Sequence, residues 1–232
     1  MERRGTGAIV AEDGARNGAG LPLVEAIREA IIRGEFVPNQ RLVEADLSTQ
    51  FAASRASVRS ALLELTNEGL VERIQNRGAR VRAVSLAEAI EISEVRMVLE
   101  GLCAAKAAEV VTGEEIGELR ALGQSMRRAV GDGDLLGYSS LNQELHRRVR
   151  EIAGQSTASQ VLERLRGQNV RHQFRLAMHP GRPSVSLPEH LAIIDGVCSH
   201  DPESAERAAR AHLRSVIEAL REVDRSGSVP GA

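Results

Sequence analysis

The sequence predicts a mainly α-helical protein with two domains, and three observations support this prediction. The chain has 232 residues, enough for two domains of roughly 100–150 residues each. Between residues 21 and 84, three helical patterns precede two short strand-like runs. From Ser85 onward the strand patterns cease, and apolar residues recur at helical spacing. We therefore expect a small mixed domain followed by an all-helical bundle.

The composition favours a globular protein of the cytoplasm. Hydrophobic residues make up 42% of the chain and charged residues 27%, which is ordinary for a protein that buries a core. The sequence lacks an uninterrupted apolar run of the about 18 residues that a membrane span needs. Its N-terminus also lacks the apolar segment of a secretory signal, and Cys103 and Cys198 lie far apart. We therefore expect a cytoplasmic protein without membrane contact.

The charge balance restricts any nucleic-acid binding to a local surface. The net charge of −2 lacks the overall basic excess that bulk binding to nucleic acid requires. Aromatic residues make up only 2% of the chain, too few to build the base-stacking platforms of single-strand binders.

The first 84 residues contain a tail and two helices before the third helical pattern. Residues 1–20 have five glycines and no sustained apolar period, which predicts a disordered tail. A helix then begins after residue 21 and ends at Gly34. A short second helix over 43–51 presents Leu47 and Phe51 to the core. The apolar stripe of the first helix consists of Leu23, Ile27, Ala30 and Ile31.

A third helix begins after Ser54, a residue type preferred at helix N-caps. Its apolar residues fall on one stripe, so Arg55 and Arg59 face outward. Strand-like runs at 70–74 and 79–84 flank a turn at 75–78. Three helices followed by a two-stranded hairpin describe a winged helix-turn-helix domain over residues 21–84. The buried stripe of the third helix is Val58, Ala61, Leu62 and Leu65.

The remaining chain predicts a bundle of six amphipathic helices in a domain over residues 85–225, with a tail at 226–232. Turn-forming residues separate the helices, so each boundary has its own chemical signal. We place the six helices at about 86–111, 114–130, 134–153, 156–178, 186–199 and 202–223.

Residues 42–81 resemble the winged helix-turn-helix of the GntR family of bacterial transcription regulators. The segments that carry the likeness are Ser54–Leu62, Leu65, Glu68–Val71 and Asn76–Val81. The resemblance implies binding to double-stranded operator DNA, with the third helix in the major groove and the wing in the minor groove. Together with the helix geometry it assigns DNA contacts to Ser54, Arg55, Ser57, Arg59, Arg77 and Gly78.

Helix geometry agrees with this assignment without deciding it. Arg55 and Arg59 lie four residues apart, so both can reach base edges from the N-terminal half of a recognition helix. The alternative is that both arginines only solvate a helix face. Residues 51–82 have a net charge of only +3, so electrostatics adds little to the case. The chain also has Ala45 where many relatives have an arginine.

Residues from Leu86 to Val223 resemble the all-helical FCD effector domain of the FadR-like branch of that family. The likeness rests on the segments Glu94–Glu100, Asn142–His146, Glu189–Ile194 and Ala209–Leu213. In metal-binding members three histidines and an aspartate meet in the bundle. The resemblance places those ligands at His146, His190 and His212, with Asn142 at the aspartate position. Three imidazoles suit a divalent ion such as Zn²⁺ or Ni²⁺.

Asn142 leaves the metal site open to two interpretations. An amide oxygen has no charge, so the site either binds metal more weakly than an aspartate site or takes an anionic effector as the missing charge. Arg96 is a candidate clamp for an effector carboxylate, and the alternative is an ion pair inside the bundle.

The sequence therefore predicts a homodimeric, ligand-responsive transcription regulator and not an enzyme. The expected effector is a small organic acid, and the expected action is repression. A purely structural helical module for dimerisation is the alternative. A metal-dependent hydrolase has less support, because no general base and no HExxH helix accompany the histidines.

Overall fold

The computed structural model describes residues 22–74, 78–179 and 181–227. The chain divides into two compact units, one ending at Arg82 and the other beginning at Ala83. In the described residues, no helix is both long and apolar enough to cross a membrane. The mainly helical fold with a winged N-terminal unit confirms the predicted fold class.

The first unit contains three helices, and the chemistry of its cap residues explains where they begin and end. Gly34 ends the first helix in the left-handed conformation, with φ of 81°. Ser54 caps the third helix by accepting a hydrogen bond from the backbone N–H of Ser57. The helices are α1 (Leu23–Arg33), α2 (Glu44–Gln50) and α3 (Arg55–Asn67).

The sheet of this unit has one more strand than the sequence predicts. Strands β1 (Arg41–Leu42), β2 (Val71–Ile74) and β3 (Gly78–Val81) form an antiparallel sheet in the order β1-β3-β2. The predicted two-stranded wing is thus correct for β2 and β3 and incomplete for β1. The missing strand has only two residues, too few to show any alternation.

The core of the first unit confirms the predicted apolar stripes of α1 and α3. Three of the four predicted α1 residues are buried and all four predicted α3 residues are. Leu47 of α2 is buried as expected, whereas Phe51 is only partly buried. Residues that face this core from the sheet are Leu42, Val71, Ala79 and Val81.

The second unit consists of α-helices in its described residues, as predicted. Thr112 and Glu115 form a reciprocal capping box at the start of α5, and Asp134 caps α6. The helices are α4 (Leu86–Val110), α5 (Gly113–Gly131), α6 (Leu135–Ala153), α7 (Ser156–Ala177), α8 (Arg182–Cys198) and α9 (Pro202–Gly227).

Helix α8 begins earlier than the sequence predicts. The segment around Pro183 has the composition of a break, but Pro183 lies in the first turn of α8, where a missing N–H leaves no hydrogen bond unmade. The helix therefore begins at Arg182 instead of residue 186. The earlier start adds one turn to the helix that carries His190.

Helices α4, α8 and α9 pack against one another and so fix the centre of the bundle. At Gly196, α8 approaches α9 so closely that an added Cβ would lie 2.7 Å from backbone atoms of Ala205. Only glycine permits this approach. The contact sets the relative position of His190 on α8 and His212 on α9.

Replacing Gly196 by alanine is therefore expected to destabilise the protein by about 1–3 kcal/mol, because the new methyl group forces the two helices apart. Gly117, on the exposed face of α5, has nothing within 4 Å of its added Cβ. The matched Gly117→Ala change should stabilise α5 by up to about 1 kcal/mol. Urea denaturation of both variants measures the difference. Equal stabilities would show that α8 and α9 can separate freely.

Candidate DNA-binding face and metal centre

The N-terminal half of α3 is the exposed face of the winged unit that the sequence predicts to read DNA. Ser54, Arg55, Ser57 and Arg59 are all exposed, whereas Val58 is fully buried. The burial of Val58 anchors the helix and directs its neighbours outward. Polar side chains therefore occupy the end of α3 that enters the major groove in helix-turn-helix proteins.

The two serines share a local hydrogen-bond network at the start of α3. Ser54 Oγ accepts from the backbone N–H of Ser57 at 3.1 Å and lies 2.8 Å from Ser57 Oγ. The Ser54 hydroxyl therefore satisfies an otherwise free N–H of the first helical turn. The Ser57 hydroxyl stays at the surface beside Arg55.

Arg59 forms a bidentate ion pair with Glu44 at the start of α2. Its Nε lies 3.1 Å from Glu44 Oε1, and its Nη2 lies 2.9 Å from Glu44 Oε2. The hydrogen bond from Arg59 lowers the pKa of Glu44, and that from Glu44 raises the pKa of Arg59. The pair holds the guanidinium of Arg59 in one direction, and Arg55 makes no such bond to a described residue.

A groove of about 250 Å³ borders the Glu44–Arg59 pair and adds two arginines that the sequence analysis missed. Arg41 of β1 and Arg73 of β2 line it together with Gly78. Gly78 is exposed and has φ of 90°, a conformation that favours glycine. The predicted contact Arg77 lies outside the described residues.

In the helical unit, three histidines from three helices converge in the bundle. His146 of α6, His190 of α8 and His212 of α9 are all buried. Each offers a ring nitrogen, and the three nitrogens lie within 4.8 Å of one another. The structure thus brings together the three histidines that the resemblance selected.

Each imidazole has its Nδ1 next to an acceptor outside the cluster. His212 Nδ1 lies 2.8 Å from Glu189 Oε2, and His146 Nδ1 lies 2.8 Å from Glu100 Oε2. Carboxylates at neutral pH only accept hydrogen bonds. The neutral His212 ring therefore carries its proton on Nδ1 and leaves Nε2 with a free lone pair, and the Glu100 carboxylate lies beside the Nδ1 of His146.

A pair of hydroxyl groups holds the third imidazole. Tyr138 Oη lies 2.8 Å from Ser186 Oγ and 2.9 Å from His190 Nδ1, so the Nδ1 of His190 also has a polar partner outside the cluster. His190 Nε2 is buried and has no hydrogen-bond partner. An unpartnered buried nitrogen beside two other imidazoles is what a metal site requires.

Burial favours the neutral form of His146 and His190, the form in which an imidazole binds metal. Burial lowers the pKa of His146 to about 4, although Glu100 opposes the shift. Burial, then His212 and His146, lowers the pKa of His190 well below its usual range. Burial alone would raise the pKa of Glu100, but Arg96 and His146 hold it well below its usual range. Glu100 therefore remains an acceptor for His146.

Asn142 and Arg96 line the same cavity as the histidines, and their environments differ. Asn142 lies one turn before His146 on α6, and its Oδ1 is buried without a hydrogen-bond partner. Arg96 donates from Nε and Nη2 to Glu100 Oε1, at 3.0 and 2.7 Å. The guanidinium of Arg96 thus already has a carboxylate partner inside the bundle. The cavity has a volume of about 60 Å³.

Two of the histidines outside the cluster contact backbone carbonyls. His172 contacts the Val84 carbonyl at 2.8 Å, and His200 contacts the Ala108 carbonyl at 3.1 Å. His179 is exposed and lies apart from the three clustered imidazoles. None of these side chains belongs to the group of possible metal ligands found in the described residues.

Two family models match the chain. The model for bacterial regulatory proteins of the gntR family matches residues 21–81, and the FCD domain model matches residues 91–215, more than half of the chain. The chain belongs to the GntR family. Its helical unit is an FCD domain, and the regulator is a DNA-binding transcriptional regulator and not an enzyme.

Similar proteins agree with this family over most of the regulator's length. The HTH-type transcriptional repressor RspR of Escherichia coli K12 is 27% identical over 202 residues, which cover 87% of this chain and 89% of RspR. The HTH-type transcriptional repressor NanR of Enterobacter sp. strain 638 is 29% identical over 213 residues, 83% of this chain and 81% of NanR. E. coli McbR/YncC, at 19% identity, shows the same fold, with a TM-score of 0.75 over 87% of this chain and 96% of its own.

Sequence reasoning missed the residues that hold the histidines in place. Glu100 is four residues after Arg96, a spacing that signals a shared helix face, and Glu189 directly precedes His190. Tyr138 gives no such signal, because its partner His190 is 52 residues away. Glu44 likewise gives no signal, because it meets Arg59 only across the fold of the winged unit.

Removing the charge of Glu44 should weaken sequence discrimination by the regulator while strengthening its binding to any duplex. Glu44→Gln releases Arg59 from its bidentate partner and deletes a negative charge beside the phosphates. We expect the affinity ratio between a selected site and a scrambled duplex to fall about threefold to tenfold. Fluorescence anisotropy at two salt concentrations measures both effects. Glu64→Gln, an exposed change on α3, is the control; equal ratios for wild type and Glu44→Gln would contradict the role of the pair.

Proposed function

We propose that the protein is a ligand-responsive repressor that binds a two-fold-related operator as a homodimer. In this proposal the winged units read DNA, and the FCD domain holds a divalent metal and a small organic acid. Binding of the acid favours one arrangement of the bundle and thereby changes operator affinity. The observation that carries the proposal is the convergence of three buried histidines: one ring nitrogen of each lies within 4.8 Å of the others, and each Nδ1 lies within 2.9 Å of a polar partner outside the cluster.

The donor set of the cavity fits a first-row divalent ion. His146, His190 and His212 would hold Zn²⁺ or Ni²⁺ through their Nε2 atoms, and the unpartnered Oδ1 of Asn142 lies in the same cavity. When bound, such an ion supplies positive charge and open coordination positions that an acid can occupy. Glu100, Glu189 and Tyr138 orient the imidazoles from outside.

A carboxylate effector is supported by the charges around the cavity. Asn142 brings no negative charge where a metal-binding relative has an aspartate, so an anionic ligand is needed to offset the ion. Arg96 lines the cavity beside the histidines. We propose that Arg96 contacts the effector and that its hydrogen bonds to Glu100 fix the direction of its guanidinium.

For the DNA-binding role, the proposal retains the contacts Ser54, Arg55, Ser57, Arg59, Arg77 and Gly78. Repression is supported by the names of the relatives RspR and NanR. Homodimerisation is supported by the half-site logic of helix-turn-helix proteins and by an exposed apolar stripe on α4. The stripe residues Val95, Val98 and Leu102 recur at the spacing of helix-to-helix contacts.

The experiment that tests this function begins with selection of duplexes from a random pool by the purified regulator. Operator affinity is then measured with and without Zn²⁺ and a panel of small carboxylic acids. We expect at least one acid to change the affinity about fivefold or more, within the usual range of allosteric coupling. The double variant Arg55→Ala with Arg59→Ala should lose selective binding and keep its helical circular dichroism. Selective binding that no metal and no acid alters would instead support a purely structural FCD domain.

Asn142→Asp should raise the affinity for Zn²⁺ in the absence of any carboxylate by about tenfold or more, because it supplies a charged ligand in place of an amide. The same variant should depend less on added acid for metal retention. Gln143→Glu introduces the same charge at an exposed neighbouring position and should leave the affinity unchanged. Competition with a fluorescent chelator measures both variants. Equal gains from both changes would indicate long-range electrostatics instead of a ligand at residue 142.

A further inference from the structure

Helix α7 places two polar side chains at the cavity. Neither of them forms a hydrogen bond with the three histidines or with the residues that orient those histidines. Arg166 and Gln173 both line the cavity, together with Asn142 and the three histidines. In the described part of the chain, Arg166 makes no hydrogen bond and no ion pair at contact distance. Gln173 Nε2 is buried and has no hydrogen-bond partner. Two donors without acceptors thus share one wall of the cavity.

The surroundings of Arg166 have an excess of positive charge. Arg166 itself is partly exposed, whereas Arg96, Arg150 and the carboxylate Glu100 near it are buried. Desolvation, followed by Arg96, lowers the pKa of Arg166 to about 10, so the guanidinium is still charged at neutral pH. Glu100 already lies beside Arg96 and His146. In the described residues no carboxylate lies at ion-pair distance from Arg166, and the nearby Glu163 is exposed.

Leaving such groups without partners is unfavourable, so a retained arrangement of this kind indicates a ligand. A buried donor without an acceptor loses its hydration and gains nothing in return. A partly buried charge without an ion-pair partner is also less stable than a paired one. An anion between Arg166 and Gln173 would satisfy both residues, because a carboxylate accepts from a guanidinium and from an amide at the same time.

We propose that the effector has two acidic groups and is a small dicarboxylate. One carboxylate lies on the side of the histidines and Asn142, and the second binds Arg166 and Gln173. This inference rests on the proposed function, since it assigns the acid already placed in the cavity to a narrower chemical class. Arg166 and Gln173 are then the residues that select a diacid over a monoacid.

The positive charge around the cavity favours a ligand with two acidic groups over a ligand with one. Arg96, Arg150 and Arg166 outnumber Glu100 and Glu163, the two carboxylates that act on Arg166, by one positive charge, and a divalent ion would raise this excess to three. A monocarboxylate bound beside the histidines leaves Arg166 without an ion-pair partner. A dicarboxylate reaches both places with one molecule, and the rigid bundle holds them in a fixed relation.

The test compares each diacid with its own monoamide, which has nearly the same shape and one charge fewer. Isothermal titration calorimetry of the full-length, Zn²⁺-loaded protein is carried out with malonate, succinate and glutarate and with the monoamide of each. We expect at least one diacid to bind about tenfold or more tightly than its monoamide, the effect of one charge-assisted contact. Equal affinities within every pair overturn the proposal.

The Arg166→Gln variant tests whether Arg166 causes the preference for the diacid over its monoamide. It should remove the preference for the diacid and leave binding of the monoamide unchanged. Without ligand, its thermal stability should equal or exceed that of the wild type, since a partly buried charge without an ion-pair partner is gone. Arg164→Gln removes the same charge from the exposed face of α7 and should change nothing. A preference that survives Arg166→Gln, or that Arg164→Gln also abolishes, overturns the proposal.

Gln173→Met provides a second variant in case Arg166→Gln does not fold, and it should reduce the diacid preference in the same direction. The outcome that separates this inference from the proposed function is the behaviour of the monoamides. If monoamides and diacids bind equally, the cavity is an acid site and only the dicarboxylate assignment fails. If the metal-loaded protein binds neither class, the effector function fails as well.

Discussion

The central constraint of this molecule is that three imidazoles share one small buried volume and must each point in a fixed direction. The bundle meets this constraint by placing a polar partner beside the Nδ1 of each ring. These partners, Glu100, Glu189 and Tyr138, come from three different helices, so a shift of one helix alters the direction of at least one ring. The close approach at Gly196 holds α8 and α9 at the distance at which His190 and His212 meet. The helix packing therefore determines how the three rings are oriented.

The sequence predicts the helices and their buried faces because those features depend on neighbours three and four residues away. Ser54 as a cap and Val58 as an anchor of α3 follow from such local rules. The two residues of β1 lie below the length at which a strand pattern exists, and Pro183 signals a break as well as a first turn. Both differences arise at short segments, where tertiary pairing decides the structure.

The same difference between local and long-range interactions applies to the candidate sites. The histidines at 146, 190 and 212 and Asn142 follow from resemblance to a family, and Arg55 and Arg59 follow from a helical wheel. Their surroundings do not, because Tyr138 and Glu44 act on residues far away in the sequence, and Arg166 forms no hydrogen bond or ion pair with a described residue. A charge without a counterion is visible only once the fold shows which other charges surround it. Sequence patterns thus identify the candidate binding residues, and the structure shows which other residues surround and orient them.

The two units use charge in opposite ways, and this difference bears on regulation. On the DNA-binding face Glu44 neutralises Arg59, and residues 51–82 have a net charge of only +3. Attraction to phosphates is then modest, and binding depends more on correctly oriented contacts to bases. The helical unit has no basic excess as a whole, because residues 83–232 have a net charge of −3. Its buried positive charge is local, since Arg96 and Arg150 lie near the single buried carboxylate Glu100 in the described residues. In the proposed function an anion bound in the cavity meets this local group of arginines, and a coupling energy of about 1–3 kcal/mol is enough to alter a DNA complex whose electrostatic contribution is small.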